Sequence, residues 1–201
     1  MGKIFYLMGK SSSGKDTIFK ELLKGKGGVP LLRTIVPYTT RPIRAGEQEG
    51  VEYHFTDEEG FQKLAASGKV IEQREYHTFY GIWRYFTVDD GQFAPEQNQD
   101  YIMIGTLEAY RSMQSYFGKD KVVPVLIELD DGTRLQRALD RERRQEQPKY
   151  EEMCRRFLAD SEDFSEEKIK QAGIERRFQN DHLETCLEEI QDYIMEQRKS
   201  I

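Results

Sequence analysis

Along the chain, apolar residues first run without a break and then recur at helical spacing. Residues 3–8 are almost wholly apolar, which predicts a strand buried on both faces. Ile18, Phe19, Leu22 and Leu23 then mark a helix over 17–24, and the Gly-rich stretch 25–28 ends it by supplying a residue free to turn left-handed. A second apolar run predicts a strand over 31–36. Strand, helix and strand in that order imply a parallel sheet joined by a right-handed crossover.

The texture then changes. Residues 38–47 are polar and carry Pro42 and Gly46, so they are excluded from a core strand. Residues 51–55 alternate in period two, as a half-exposed strand does. Thr56 with Glu59 reads as a capping box opening a short helix whose apolar face is Phe61, Leu64 and Ala65. Further strands are predicted over 70–76 and 83–88, which makes 37–88 an inserted subdomain of small strands. Core texture returns with a strand over 101–105, a helix over 106–117 and a strand over 122–129, where Pro124 lies near the start. A strongly charged helix over 133–145 breaks at Pro148, and a second runs over 150–162. A last strand is predicted over 174–178. Asp181 with Glu184 then caps a final helix with the apolar stripe Leu183, Leu187, Ile190 and Ile194.

Between the first strand and the first helix stands the most informative stretch: Gly9, Lys10, Ser11, Ser12, Ser13, Gly14, Lys15, Asp16 and Thr17. Gly, four residues and then Gly-Lys is the spacing of a phosphate-binding loop. Glycines let the backbone curl round an anion, its N–H groups point inward, and the following helix adds its positive end. Lys15 supplies a mobile cation for the outer phosphates. A hydroxyl that binds Mg²⁺ ordinarily follows that lysine; here Asp16 follows it, and Thr17, with Asp16 beside it, is the candidate metal contact. Strand, loop and helix together predict binding of a nucleoside triphosphate, with the fold class α/β and a parallel sheet flanked by helices.

A second anion site is predicted in the inserted subdomain. Arg41 and Arg44 lie three apart in a loop with Tyr53 shortly after, and two guanidinium forks with a phenol suit a phosphate. Glu72, in a strand, is an acceptor pair suited to the N1–H and 2-amino edge of guanine. Such a site would reject a base lacking those donors.

At 201 residues the chain has room for a sizeable core. Its formal net charge of −6 argues against general nucleic-acid or membrane-surface binding. No apolar run approaches the ~20 residues needed to span a bilayer. A strand at the very start predicts no signal peptide, and Tyr6 does not fit a myristoylation signal. Cys154 and Cys186 lie far apart in helical patterns, which suits a reducing cytoplasm. His54, His77 and His182 have no ligand spacing. Arg141, Arg143, Arg144 and Lys149 are interleaved with Asp140, Glu142 and Glu146, so they read as a solvated helix face and not as a nucleic-acid patch.

Over nearly its whole length the chain resembles the guanylate kinase family. The resemblance rests on the loop from Gly9 to Thr17, on Thr39-Thr40-Arg41-Pro42-Ile43-Arg44-Ala45-Gly46-Glu47, on 50–55, Glu72, Phe79-Tyr80-Gly81, and Asn180-Asp181. It implies one domain in three parts: a core of 1–36, 89–132 and 163–201, a nucleoside monophosphate-binding subdomain of 37–88, and a helical lid of 133–162. It also implies phosphoryl transfer from ATP, with Mg²⁺, to GMP. Arg41, Arg44 and Tyr53 would hold the GMP phosphate, and Glu72 would read the base, with Tyr80 nearby. Arg137, Arg141 and Arg156 would be the lid arginines facing the transferred group. The family usually has a serine where Pro37 stands, a hydroxyl residue where Ile82 stands, and an acidic residue near 104–106, where this chain has Ile104-Gly105-Thr106. These departures leave open a related kinase with another acceptor, such as another nucleotide or a phosphorylated sugar. A non-catalytic binding module is the third reading, and the presence of Lys15 weighs against it.

Overall fold

In the computed structural model, which describes residues 2–25, 31–44, 46–78, 81–94 and 98–199, the predicted first strand is β1 (Ile4–Met8), with every residue buried. Its side chains alternate. Ile4, Tyr6 and Met8 join one apolar cluster, and Phe5 and Leu7 join the other, so both faces of the sheet are covered. On one face lie α1 (Lys15–Leu22) and α7 (Leu183–Lys199); on the other lie α3 (Leu107–Phe117) and α6 (Glu166–Gln171). The sheet also contains β2 (Arg33–Thr34), β7 (Tyr101–Ile104), β8 (Val122–Glu128) and β9 (Arg177–Gln179), in the order β2-β7-β1-β8-β9 with all neighbours parallel. Pro124 is tolerated because its missing donor lies on the side away from β1, before β9 begins to pair at Leu126.

The inserted residues form a second sheet, ordered β4-β3-β6-β5, from β3 (Tyr38–Thr39), β4 (His54–Phe55), β5 (Val70–Thr78) and β6 (Gly81–Val88). Its own core is Phe61, Phe86 and Val88, with Phe61 supplied by α2 (Glu58–Ala66). The two charged helices are α4 (Asp131–Arg143) and α5 (Tyr150–Asp163), which pack on one another.

Several boundaries differ from expectation for identifiable reasons. The first helix starts at Lys15 and not at residue 17, because Gly14, at φ 91°, turns directly into it. The strands expected over 31–36 and 51–55 shorten to Arg33–Thr34 and His54–Phe55, the residues that find a ladder partner. Asp57, and not Thr56, caps α2; its carboxylate accepts the Gly60 N–H at 2.7 Å. The last strand is Arg177–Gln179 and not 174–178, because Ile174 packs into the cluster with α6 instead. α6 itself was not expected: six residues, four of them charged, show no amphipathic stripe. In α7 the first helical bond runs from the Cys186 N–H to the His182 carbonyl, one residue past Asp181.

In a parallel sheet all strands end at the same edge, and that edge carries the site. The phosphate loop follows β1, Thr106 follows β7, Asp130 follows β8 and Asn180 follows β9. No described helix is long and apolar enough to cross a membrane.

Candidate active site

The loop after β1 is held open by its surroundings. A side chain at Gly9 would put its Cβ 2.4 Å from the Ile127 carbonyl, and one at Gly14 would stand 2.2 Å from Asn180 Nδ2. Asn180, buried, donates to the Ser13 carbonyl at 2.7 Å and fixes the inner wall of the loop. Ser12 takes a left-handed φ of 63°. The Ser12 and Ser13 hydroxyls are buried without a hydrogen-bond partner, and Lys15 has no ion-pair partner among the described residues. A loop with open N–H groups, two unpartnered hydroxyls and a free ammonium is built for an anion. Asp16 and Thr17 are exposed in the first turn of α1.

One loop donor is already taken. The Ser11 N–H donates to Asp160 Oδ2 of α5 at 2.7 Å. Arg134 of α4, 1% exposed, joins the same contact: its Nη1 donates to the Ser11 carbonyl at 3.1 Å and its Nε to Asp131 Oδ1 at 3.0 Å, while its guanidinium lies 4.9 Å from the Phe157 ring centre. Lys10 also reaches Asp131, at 3.4 Å. The helix pair is thereby docked on the phosphate loop. Arg137 lies by the loop too, with its Nη1 3.8 Å from where a Gly14 Cβ would be.

In the second sheet, Arg41 is 3% exposed and held by a fork-to-fork pair with Glu47, at 2.7 and 2.6 Å. Those bonds to Arg41 hold the Glu47 carboxyl below the usual glutamate range. Glu47 also accepts the Arg44 N–H at 2.9 Å, so a single carboxylate shapes the whole arginine loop. Arg41 lies 5.0 Å from the Tyr53 ring centre, its Nε buried without a partner. Burial raises the Tyr53 pKa. Arg44 is exposed. Glu72 is buried, with Oε1 accepting from Thr87 at 2.8 Å and Oε2 from Arg74 Nε at 3.2 Å.

These parts meet. A cavity of about 350 Å³ is lined by Ser11 from the loop, Arg44 and Trp83 from the second sheet, and Arg141, Glu142 and Arg156 from the helix pair. Arg156 is partly engaged there by Glu152, at 2.9 Å. A larger groove of about 1120 Å³ opens at the opposite edge of the core sheet, beside Lys3, Lys121 and Arg176, and no predicted site residue lines it. Tyr80 lies outside the described residues.

The sequence profile described as guanylate kinase matches residues 1–197 of this chain. The chain belongs to the guanylate kinase family. Among curated relatives, the guanylate kinase of Helicobacter hepaticus is 32% identical over 118 residues, which cover 58% of this chain and 56% of that protein. The guanylate kinase of Schizosaccharomyces pombe is 47% identical over 66 residues, 33% of this chain and 32% of that protein. The chain thus spans about half or less of the curated relatives it matches, at 56%, 39% and 45% of the first three. The crystal structure of the Anaplasma phagocytophilum guanylate kinase superposes with a TM-score of 0.67 at 18% identity, over 98% of this chain and 86% of that one, which establishes the common fold.

Against that family background, the structure brings Arg44, Arg141 and Arg156 to one cavity, and Arg137 to the phosphate loop. Arg41 does not line that cavity; it is buried and locked to Glu47, where it shapes the arginine loop. Arg134, Asp160 and Arg74 were missed. Arg134 and Asp160 have no mark in sequence among the other charges of α4 and α5. Arg74 could have been found from strand periodicity, since two residues beyond Glu72 is the same face of a strand.

Proposed function

We propose that the chain transfers the γ-phosphoryl group of ATP to GMP, giving ADP and GDP. The carrying observation is the cavity where the phosphate loop, the arginine loop and the paired helices meet. The membership of the guanylate kinase family supports the same reading. In it, residues 37–88 are the acceptor subdomain, 133–162 the lid, and the remainder the core.

A GMP phosphate oxygen attacks the γ-phosphorus, the bond to the β-phosphate oxygen breaks, and ADP leaves. Such a transfer calls chiefly for positioning and charge neutralisation. Loop N–H groups and Lys15 hold the donor phosphates. Arg44, with Tyr53 and the remaining donors of Arg41, holds the acceptor phosphate, and Arg137, Arg141 and Arg156 offset charge on the moving group. Glu72 accepts from the base. Docking of α4 and α5 over the loop excludes water that would otherwise hydrolyse ATP. Thr17 and Asp16 offer a hydroxyl and a carboxylate, both hard oxygen donors, at the mouth of the loop. That fits Mg²⁺, which takes one or two protein ligands beside phosphate oxygens and water. When bound, the ion supplies charge neutralisation between the phosphates. The unpaired cysteines, one exposed and one buried, support a cytoplasmic location.

A related kinase with another acceptor is the second reading, favoured by Pro37 and by Ile82, which is 43% exposed in β6 and brings no hydrogen-bonding side chain. An assay of ADP release over GMP, AMP, CMP, UMP and sugar phosphates decides. Turnover with GMP foremost supports the proposal; turnover of another acceptor with none on GMP overturns it.

A further inference from the structure

Arg74 is a cation in an unfavourable place. Its Nη1 lies 3.5 Å from the hydroxyl of Thr106, the N-cap of α3, where the helix dipole opposes positive charge. Glu72, two residues back on β5, offsets this by accepting from Nε at 3.2 Å, with side chains 4% and 19% exposed for Glu72 and Arg74. A guanidinium has five N–H donors, and the two on Nη2 have no partner among the described residues. Thr87 meanwhile donates to the other oxygen of Glu72 at 2.8 Å.

The pair is also continuous with the acceptor phosphate site. Arg74 lies opposite Tyr85 across the β5–β6 ladder. Tyr85 packs edge-on against Tyr53 at 5.6 Å between ring centres, and Tyr53 lies under Arg41. One face of the small sheet therefore runs from Arg41 at the phosphate end to Glu72 and Arg74 at the base end.

We propose that Arg74 is a specificity-determining residue, which together with Glu72 reads the lactam edge of a 6-oxopurine. The inference rests on the acceptor being a nucleoside monophosphate, as proposed above. A carbonyl beside a ring N–H is the complement of a guanidinium beside a carboxylate: Arg74 donates to O6 and Glu72 accepts from N1–H. Hypoxanthine and guanine share O6 and N1–H, and the 2-amino group of guanine adds one further hydrogen bond at Glu72 Oε1, which already accepts from Thr87. The acceptor class is thus 6-oxopurine nucleoside monophosphates, with or without a 2-amino group. Adenine presents the reversed edge, an amino group beside a ring acceptor.

The test compares kcat/KM for GMP, IMP and AMP in the full chain and in Arg74→Met, which keeps the apolar stem and removes the donors. IMP is expected within about tenfold of GMP, the worth of one further hydrogen bond, and AMP far below both. Arg74→Met is expected to lower GMP and IMP roughly 10- to 100-fold, the worth of a charged hydrogen bond, to narrow their lead over AMP, and to leave the KM for ATP unchanged. A thermal melt and titration calorimetry with GMP confirm that the variant is folded, and Arg74→Lys, which keeps the charge without the fork, should restore only part of the preference. The proposal is overturned if IMP falls more than about 100-fold below GMP. It is equally overturned if a folded Arg74→Met keeps the parent ratio of GMP to AMP. Absence of turnover with every nucleoside monophosphate would instead sink the proposed function itself.

Discussion

Lys15 stands beside the buried, unpartnered hydroxyls of Ser12 and Ser13 with no carboxylate paired to it among the described residues. A charge left free at a loop of inward N–H groups acts on the ligand and contributes little to the fold. Lys15→Ala is therefore expected to lower kcat by roughly 10²–10³, the scale of a lost transition-state donor, while leaving the melting temperature near that of the parent. A large drop in melting temperature would assign Lys15 to the fold instead. Glu47 is the opposite case. Its carboxylate touches no proposed substrate, yet it clamps Arg41 and the Arg44 backbone. Glu47→Gln keeps the shape and removes the charge, so the KM for GMP should rise about tenfold, the scale of a weakened charged hydrogen bond, with the KM for ATP unmoved. Equal changes in both constants would show that Glu47 has a general structural role.

The elements tell where such reasoning reaches. β1, the loop after it and the stripe of α7 were legible because each is a local pattern: an apolar run, a glycine spacing, a 3.6-residue period. β2 and β4 were over-extended because a strand ends where its partner does, which no single segment encodes. The helix pair was legible as helices but not as a docked unit, since docking depends on one buried arginine. Arg134 is 1% exposed and joined to Asp131 and the Ser11 carbonyl. Arg134→Ala leaves Asp160 against the loop without its cation, and should cost about 3 kcal/mol, a common scale for breaking a buried pair. At roughly 2–4 °C per kcal/mol for a chain of this size, a melting curve would resolve it, and a shift under one degree would contradict the docking role. α5 also carries a pH-dependent contact. Hydrogen bonds from Arg155, then Arg156, pull the Glu152 pKa down to about 2. A carboxylate with a lowered folded pKa stabilises above its unfolded pKa and loses that contribution as pH falls toward 2. Because the Glu152 side chain is 42% exposed, salt weakens the effect. Amide exchange in α5, taken relative to the unprotected rate at each pH, is expected to rise between about pH 4.5 and pH 2 at low ionic strength, and less so in Glu152→Gln.

For the molecule as a whole, the contact that docks the helix pair on the phosphate loop sets a requirement. The cavity of about 350 Å³ between Ser11, Arg44 and Arg141 is lined by neither Lys15 nor Glu72. It is therefore only part of the space that the two proposed nucleotides would fill. The Ser11 N–H, moreover, is held by Asp160 where a phosphate oxygen would lie. The proposed donor can therefore take up that N–H only after the helix pair draws away from the loop, and the parts must close again once the anions are in place. Cys154, exposed on α5, and Lys63→Cys, on the exposed side of α2, give two labelling points on the moving parts; Cys186 is buried and spared. Between these labels, single-molecule energy transfer in the free protein should show more than one distance. A linked ATP–GMP analogue should collapse the distribution to a single narrow one, while either nucleotide alone should only shift the populations. A single distance, unchanged by any of these ligands, would mean that a rigid molecule admits both nucleotides, and the contact between Asp160 and the phosphate loop would then have to give way without any movement of the helices that carry it.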